Sequence, residues 1–251
     1  MNKKRINMGN DASNYSRRSF MGAGAALLAS SAAGAQNATT TKMQGIGVST
    51  VADALRQVGR DPMALTMTTE IRPMTTVRGA VFGAAITTKY EADRGRMTGE
   101  DVRKNMFEPL DNAPAGSIWI VAGGTDRILS LFGGVIGAAC KRNGMSAVIT
   151  DNGCRDLAKF EEVGMPLFAR APIPYGPGAF VKPVAANVPV VCGGVTVNPG
   201  DVVAADIDGI IVIPQGDYDA VMEAAAAVHA KEQGMHDKID AGASLADTYK
   251  I

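Results

Sequence analysis

The stretch Ser117–Asp156, SIWIVAGGTDRILSLFGGVIGAACKRNGMSAVITDNGCRD, decides the fold that the sequence predicts. Its two apolar runs, Ser117–Ala122 and Ser146–Thr150, are typical of short buried strands. Between them, the small residues from about Gly133 to Asn143 favour a helix. This strand–helix–strand unit predicts α/β packing around one core.

The rest of the chain extends this pattern on both sides. We predict helices over Ser49–Gly59, Thr98–Met106 and Asp217 to about Ala241, and strands over Val77–Thr87, Leu167–Ala169, Pro189–Cys192, Val202–Ala205 and Gly209–Ile213. No stretch inside 45–250 is long and polar enough to divide the chain. We therefore expect a single domain over 45–251 that ends in a C-terminal helix.

The first 35 residues match the pattern of an export signal. Two adjacent arginines, Arg17 and Arg18, precede Phe20 and a run of small apolar residues that ends in Ala33-Gly34-Ala35. This pattern predicts a twin-arginine signal peptide over 1–35, a linker over 36–44 and a periplasmic location. The apolar run is about 15 residues long, shorter than the ~20 residues that a membrane-spanning helix needs, so no stable membrane anchor is expected.

Net charge and cysteine content argue against nucleic-acid binding and against a metal site built from cysteines. Removal of residues 1–35 takes away five of the 25 basic residues and one of the 25 acidic residues, which leaves a net charge of −4. Without a basic surface to displace the counterions of phosphates, nucleic-acid binding is not expected. Cys140, Cys154 and Cys192 are odd in number and lack metal-ligand spacing, which favours small buried thiols.

The strand–helix–strand unit contains the candidate site. The backbone N–H groups of Gly134, Val135 and Ile136 should be free at the predicted helix start, where they favour an anion. Arg155 offers a planar fork for a carboxylate, and Asp156 offers hard oxygen ligands for magnesium or manganese. Taken alone, two adjacent charges after a strand are more often a solvated turn or a local ion pair, and a glycine-rich helix start more often serves close packing.

Ordered segments of the chain resemble the regulator of ribonuclease activity A (RraA)-like family. That family includes the 4-hydroxy-4-methyl-2-oxoglutarate and 4-carboxy-4-hydroxy-2-oxoadipate aldolases. The matching segments are TVADAL (50–55), RGAVFGAAIT (78–87), FGG (132–134), DNGCRD (151–156), PLFAR (166–170), VVCGGVTVNPGDVV (190–203) and ADIDGI (205–210), which continues to Pro214. The resemblance implies a layered α/β/β sandwich that assembles as a homotrimer or homohexamer with sites between subunits.

The resemblance also implies roles for individual residues. Arg155 matches the arginine that grips the carboxylate of a pyruvoyl group, and Asp156 matches the ligand of a divalent metal, Mg²⁺ or Mn²⁺. Val135 and Ile136 match the positions whose amides touch the substrate carboxylate. Glu232 lies roughly where the family has a glutamate that reaches the metal site of a neighbouring subunit.

The chain departs from the aldolase pattern at Gly134, where the aldolases carry an acidic residue that helps deprotonate the substrate hydroxyl. Loss of a proton acceptor costs typically ~10²–10⁴-fold in rate. Decarboxylation of oxaloacetate needs no such acceptor, so it should be retained better than aldol cleavage. Asp126, Asp151 or Glu161 could still occupy the vacant space.

The sequence therefore predicts a carbon–carbon lyase, of the class II pyruvate aldolase or oxaloacetate decarboxylase type, whose substrate is a small 2-oxo acid. The competing hypothesis is a non-catalytic RraA-like binding or regulatory protein.

Overall fold

The computed structural model describes residue 43, residues 45–92 and residues 97–250, which belong to one compact unit. The predicted signal peptide, 1–35, and all of the linker 36–44 except Met43 lie outside the described residues. No described helix is both long enough and apolar enough to cross a membrane.

Helices, all but one of them short, flank a strand-rich centre. The α-helices are α1 (Val48–Gln57), α2 (Pro62–Leu65), α3 (Gly99–Val102), α4 (Glu108–Asp111), α5 (Gly134–Arg142), α6 (Leu157–Val163), α7 (Tyr218–Asp240) and α8 (Leu245–Tyr249). A π-helical turn, Arg103–Phe107, joins α3 to α4, and a 3₁₀ turn, Gln215–Asp217, precedes α7.

The strands are short except for one. They are β1 (Arg72–Pro73), β2 (Val81–Ala92), β3 (Ile118–Gly123), β4 (Ala147–Thr150), β5 (Gly153–Cys154), β6 (Leu167–Ala169), β7 (Ala171–Pro172), β8 (Val181–Ala186), β9 (Val190–Cys192), β10 (Val195–Val197), β11 (Val202–Ala205) and β12 (Ile210–Ile213).

An eight-stranded sheet organises the molecule. Its order is β1-β6-β4-β3-β2-β11-β12, and β8 also pairs with β2. Strands β2, β3, β4 and β6 are parallel to one another, whereas β8 and β11 run antiparallel to β2. Because parallel strands end at the same edge, the segments that follow β3 and β4 come together there.

The sheet is curled, and its two faces bury different cores. Along β3, Ile118 and Ile120 point into the core enclosed by the curl, together with Ile210 of β12 and the β9–β10 hairpin. The alternate residue Trp119 packs outside. Helices α5 and α6 cover that outer face at β3, β4 and β6, while α1 and α7 cover it at β11 and β12. This arrangement confirms the predicted α/β layered fold with a C-terminal helix.

Strand β2 differs from its predicted bounds because of its neighbours. It begins at Val81 and continues to Ala92, five residues beyond the predicted end at Thr87. Lys89 and Tyr90 look polar for a buried strand, yet they pair with β3 on one side and β8 on the other. Backbone partners on both edges extend the strand past its apolar run.

The predicted cap of α1 was wrong. The helix begins at Val48, one residue before Ser49, and Gly47 is its N-cap without a side-chain bond. The N–H of Val48 instead donates to Asp206 Oδ2 at 2.8 Å. Asp206 comes from the turn between β11 and β12, so a distant side chain supplies the cap.

The prediction for the cysteines is confirmed, because Cys140, Cys154 and Cys192 are all free and buried.

Candidate active site

The backbone of Asp156 turns the chain back onto the start of α5. Asp156 follows β5 and precedes α6, with φ 60° and ψ 39°, in the left-handed region. Aspartate tolerates this conformation better than most residues because its short polar side chain can hydrogen-bond locally. As a result, Asp156 Oδ2 accepts a hydrogen bond from Gly134 N–H at 3.0 Å. This bond joins two positions that the sequence analysis singled out separately.

Gly133 lies directly against the side chains of Arg155 and Asp156. A Cβ atom at Gly133 would lie 2.5 Å from Asp156 Oδ2 and 3.1 Å from Arg155 Nε. Both distances are too short for ordinary contact, so a larger residue at this position would force the carboxylate and the guanidinium to move. Sequence reasoning did not assign Gly133 to the site, although it belongs to the FGG match.

Arg155 presents an open guanidinium. Its Nε lies 3.9 Å from Asp156 Oδ2, and both side chains are about half exposed. Within the part of the chain that the structure describes, the guanidinium donates no hydrogen bond. On another side, a Cβ atom at Gly176 would lie 3.7 Å from Arg155 Nη1, so glycine backbone borders the group there as well. The fork is therefore available for a carboxylate.

The start of α5 offers fewer free amides than expected. Gly134 N–H is used by Asp156, and Ile136 N–H donates to Gly133 O at 3.0 Å. The expectation of three free amides is thus wrong for Gly134 and Ile136, because the first turn tightens and a side chain caps it. Val135 N–H has no partner among the described residues, and the Val135 side chain is 86% exposed.

Asp156 fits a divalent cation with one of its oxygens. Oδ2 is fixed by Gly134 N–H, and Oδ1 has no hydrogen-bond partner among the described residues. No group of three or more His, Cys, Asp or Glu side chains that could hold a metal occurs in the described ranges. Magnesium is commonly held by one or two carboxylates, with water and substrate oxygens completing its shell, so a single carboxylate such as Asp156 is compatible with binding it.

Glu232 lies elsewhere in the same chain. It belongs to α7, which packs against α1, and its Oε2 accepts a hydrogen bond from Thr50 Oγ1 at 3.3 Å. The structure therefore brings together Gly134, Arg155 and Asp156 but places Glu232 beside a different helix. Its contribution to a neighbouring subunit's metal site stays a prediction.

The position that carries an acid in the aldolases is filled by other atoms. A Cβ atom at Gly134 would lie 2.7 Å from Lys159 Cβ, 3.0 Å from Lys159 Cγ and 3.1 Å from Asp156 Cβ. The stem of Lys159 therefore occupies this space, and an aspartate would not fit without movement of α6. Lys159 escaped the sequence analysis, because its contact with Gly134 joins α6 to α5 and no local pattern indicates it.

Two other candidate acids already have partners. Glu161 Oε2 accepts a hydrogen bond from Thr76 N–H at 2.8 Å, and this bond lowers the pKa of Glu161. Asp151 Oδ1 accepts from Gly123 N–H at 3.3 Å. Burial raises the pKa of Asp151 to about 6, although the backbone N–H groups of Gly123 and Gly193 lower it. Asp126 is exposed on the loop after β3.

Comparison with known proteins identifies the family. A family model for RraA-like proteins, described as Aldolase/RraA, matches residues 48–212. The chain belongs to the RraA-like family. An uncharacterized protein of Methanocaldococcus jannaschii is 28% identical to this RraA-like chain over 183 residues, 72% of the chain and 83% of the relative.

Two further relatives carry the name "putative 4-hydroxy-4-methyl-2-oxoglutarate aldolase". The protein of Halalkalibacterium halodurans is 28% identical over 55% of the chain and 65% of its own length. The protein of Deinococcus radiodurans is 35% identical over 42% of the chain and 66% of its own length. These names place the RraA-like chain near a family of lyases.

Solved structures agree with the fold. A crystal structure of an uncharacterized protein from Pseudomonas syringae has a TM-score of 0.71 at 22% identity, covering 83% of this chain and 95% of its own. RraAS2 of Streptomyces coelicolor, an unusual member of the RNase ES inhibitor RraA protein family, has a TM-score of 0.69 at 21% identity, with coverages of 79% and 96%. At these identities the likeness concerns the fold alone.

Proposed function

We propose that the chain is a divalent-metal-dependent carbon–carbon lyase that acts on small 2-oxo acids and forms the enolate of pyruvate. One observation carries the proposal. The guanidinium of Arg155 forms only a long contact, 3.9 Å, with an Asp156 carboxylate that is fixed through a single oxygen, and it donates no hydrogen bond within the described residues. A structural ion pair would engage both groups more completely, whereas here each keeps binding capacity toward solvent. The relatives named as putative aldolases support the reaction class.

The residues act on the carboxylate and on the adjacent 2-oxo group of the substrate. The fork of Arg155 binds the carboxylate in two places and orients it, and the free Val135 N–H can donate to the same carboxylate. Gly134 N–H holds Asp156 Oδ2, and Oδ1 is left to serve as the ligand for Mg²⁺ or Mn²⁺. When bound, that metal supplies Lewis-acid stabilisation of the negative charge that develops on the 2-oxo oxygen.

Within this class we propose that decarboxylation is favoured over aldol cleavage. Retro-aldol cleavage must remove the hydroxyl proton of the substrate, and the side chain that would help is missing at Gly134. The Lys159 stem fills that space, and Glu161 and Asp151 are held by backbone N–H groups. Decarboxylation releases carbon dioxide without removing a proton. Oxaloacetate should therefore be cleaved faster than 4-hydroxy-4-methyl-2-oxoglutarate.

Pyruvate release by the purified protein tests the proposal. With Mg²⁺ or Mn²⁺, the rate should exceed the metal-only rate measured without protein, and chelation of the metal should abolish the excess. Asp156→Ala should reduce it at least about 100-fold, because the carboxylate that anchors the cation is lost. Asp53→Asn is the matched control, since Asp53 is an exposed carboxylate of α1 paired with Arg56.

Two outcomes would reject the proposal. Binding of oxo acids without metal-dependent turnover would indicate a non-catalytic binding or regulatory protein. Faster cleavage of the 4-hydroxy acid than of oxaloacetate would reject the preference assigned to Gly134.

We also propose that the protein acts in the periplasm after twin-arginine export, as a homotrimer or homohexamer. In such an assembly Glu232 would complete the metal site of a neighbouring subunit. Light scattering of the purified protein measures the assembly. Fusion of residues 1–35 to a reporter that is active only outside the cytoplasm measures export, with Arg17→Lys and Arg18→Lys together as the inactive control.

A further inference from the structure

The segment that leads into α5 is held in place by buried polar side chains. Residues 129–132 are all buried, and Asn152, which is 2% exposed, accepts a hydrogen bond from Leu129 N–H through Oδ1 at 2.6 Å. On the same segment, the buried Tyr90 hydroxyl donates to Leu131 O at 3.3 Å. Backbone groups that water does not reach must be paired within the protein, so these side chains determine where the segment lies.

The same segment pairs with the stretch that carries the charged pair of the site. Gly153 N–H donates to Leu129 O at 3.0 Å, and Leu131 N–H donates to Gly153 O at 3.3 Å. These two bonds form a parallel bridge between Ser130 and Gly153. Asn152 Oδ1 also accepts from Gly153 N–H at 2.9 Å. One amide oxygen of Asn152 therefore binds a backbone N–H on each side of the bridge.

Both sides of the bridge continue directly into the candidate site. One side runs through Phe132 to Gly133, and the other runs to Arg155 and Asp156. Gly133 lies against both charged side chains, since a Cβ atom there would be 2.5 Å from Asp156 Oδ2. The alignment of the bridge thus sets the distance between the glycines and the carboxylate, and Asn152 fixes that alignment from a buried position.

We propose that Asn152 is a positioning residue for the metal site. It holds the start of α5 at the distance at which Gly134 N–H can fix Asp156, and Tyr90 supports it through Leu131. Both side chains act through the backbone and take no part in bond cleavage. The inference rests on the proposed function in one respect, because Asp156 is taken to bind the divalent cation. The hydrogen bond from Gly134 N–H to Asp156 Oδ2 does not depend on that assignment.

The test replaces Asn152 by alanine in the full chain and measures two quantities. Affinity for Mn²⁺, determined by calorimetry, should fall about 10-fold in Asn152→Ala, because partners that orient a metal ligand typically contribute 10–100-fold. In the absence of metal, amide hydrogen exchange of Gly134, followed by NMR, should accelerate about 10-fold, since its bond to Asp156 opens more often.

A matched control separates positioning from a general loss of stability. Asp206→Ala also removes a buried side-chain acceptor of a backbone N–H, that of Val48, but at the turn between β11 and β12. It should lower the melting temperature by a similar amount and leave Mn²⁺ affinity and Gly134 exchange unchanged. Tyr90→Phe removes only a hydroxyl group and should shift both quantities in the same direction as Asn152→Ala, by a smaller factor.

The outcomes distinguish the two proposals. Equal effects of Asn152→Ala and Asp206→Ala on both quantities would overturn the positioning role, because loss of stability alone would then explain them. Faster Gly134 exchange in Asn152→Ala, in a protein that binds no Mn²⁺, would retain that role and overturn the metal-dependent lyase. Metal-dependent pyruvate release with both quantities unchanged in Asn152→Ala would retain the lyase and overturn the positioning role. If Asn152→Ala does not fold, the same criteria apply to Tyr90→Phe.

Discussion

At the scale of single residues, the site depends on how the Asp156 carboxylate is restrained. Its left-handed backbone costs on the order of 1 kcal/mol relative to an ordinary conformation. In exchange, the carboxylate contacts the start of a helix 22 positions earlier in the chain, through Gly134 N–H. One oxygen is fixed, and the other is left for a cation. The side chain of Arg155, the preceding residue, also lies against Gly133.

We expect Gly133→Ala to weaken metal binding without unfolding the protein. The added methyl group would lie 2.5 Å from Asp156 Oδ2, so the carboxylate must rotate away from Gly134 N–H. Affinity for Mn²⁺, measured by calorimetry, should fall about 10-fold, since partners that orient a ligand typically contribute 10–100-fold to metal affinity. Gly234→Ala on α7 meets no atom within 4 Å and serves as the control. An unchanged Mn²⁺ affinity in Gly133→Ala would show that Gly133 does not determine the position of the Asp156 carboxylate.

At the scale of elements, α1 is held by a cap from another part of the fold. Val48 N–H is the donor, and the accepting carboxylate of Asp206 lies 158 positions further along the chain. Asp206 Oδ1 also accepts from Asp208 N–H at 2.8 Å, which shapes the turn between β11 and β12. The bond therefore ties the first helix to the strands that it covers.

Asp206→Ala should lower the free energy of unfolding by about 1–3 kcal/mol. Val48 is buried, so its N–H would lose its acceptor without gaining water, and an unsatisfied buried donor costs about that much. Urea unfolding measures the change. Asp208→Ala removes an exposed carboxylate from the same turn and should have little effect. Equal destabilisation by both substitutions would contradict this account, because Asp208→Ala leaves both hydrogen bonds of Asp206 in place.

At the scale of the whole molecule, the curled sheet partly buries an ionisable group at the edge where β3 and β4 end. Asp151 follows β4 directly and accepts a hydrogen bond from Gly123 of β3. Burial raises the pKa of its carboxyl group from 3.8 to about 6. The neighbouring Cys192 thiol has its pKa raised further above the usual range, by burial and by the Asp151 charge.

This burial predicts a loss of stability as pH rises. Between about pH 4 and pH 6 the folded chain holds a proton on Asp151 that the unfolded chain has released, so the free energy of unfolding decreases with pH across that window. Below it both states are protonated, and above it the cost of the buried charge is complete. Asp151→Asn should remove this contribution. The free energy of unfolding of the variant, relative to that of the unchanged chain, should therefore be higher at pH 7 than at pH 4.

Urea unfolding at pH 4 and pH 7 measures the difference between the two proteins. A stability difference between Asp151→Asn and the unchanged chain that is the same at both pH values would contradict the predicted titration.

The sequence by itself determined the features that depend on local patterns. The apolar runs Leu167–Ala169 and Val202–Ala205 are strands with the predicted bounds, and the long terminal helix lies where its residues indicated. The α/β class and the burial of the three cysteines followed as well. These features depend on which residues are apolar and how they are spaced, and both can be read along the chain.

Tertiary structure alone decided which side chains meet. The pairing of Asp156 with Gly134, the Lys159 stem in the space above Gly134, and the contact of Asn152 with the segment before α5 all join segments far apart in sequence. Residue types limit such contacts but do not specify them, because the order of the strands and the packing of α6 on α5 fix the distances. For the same reason the sequence did not distinguish Arg155-Asp156 from an ordinary charged pair. Only the fold shows that the Arg155 guanidinium is accessible and that Asp156 is fixed through Oδ2 alone.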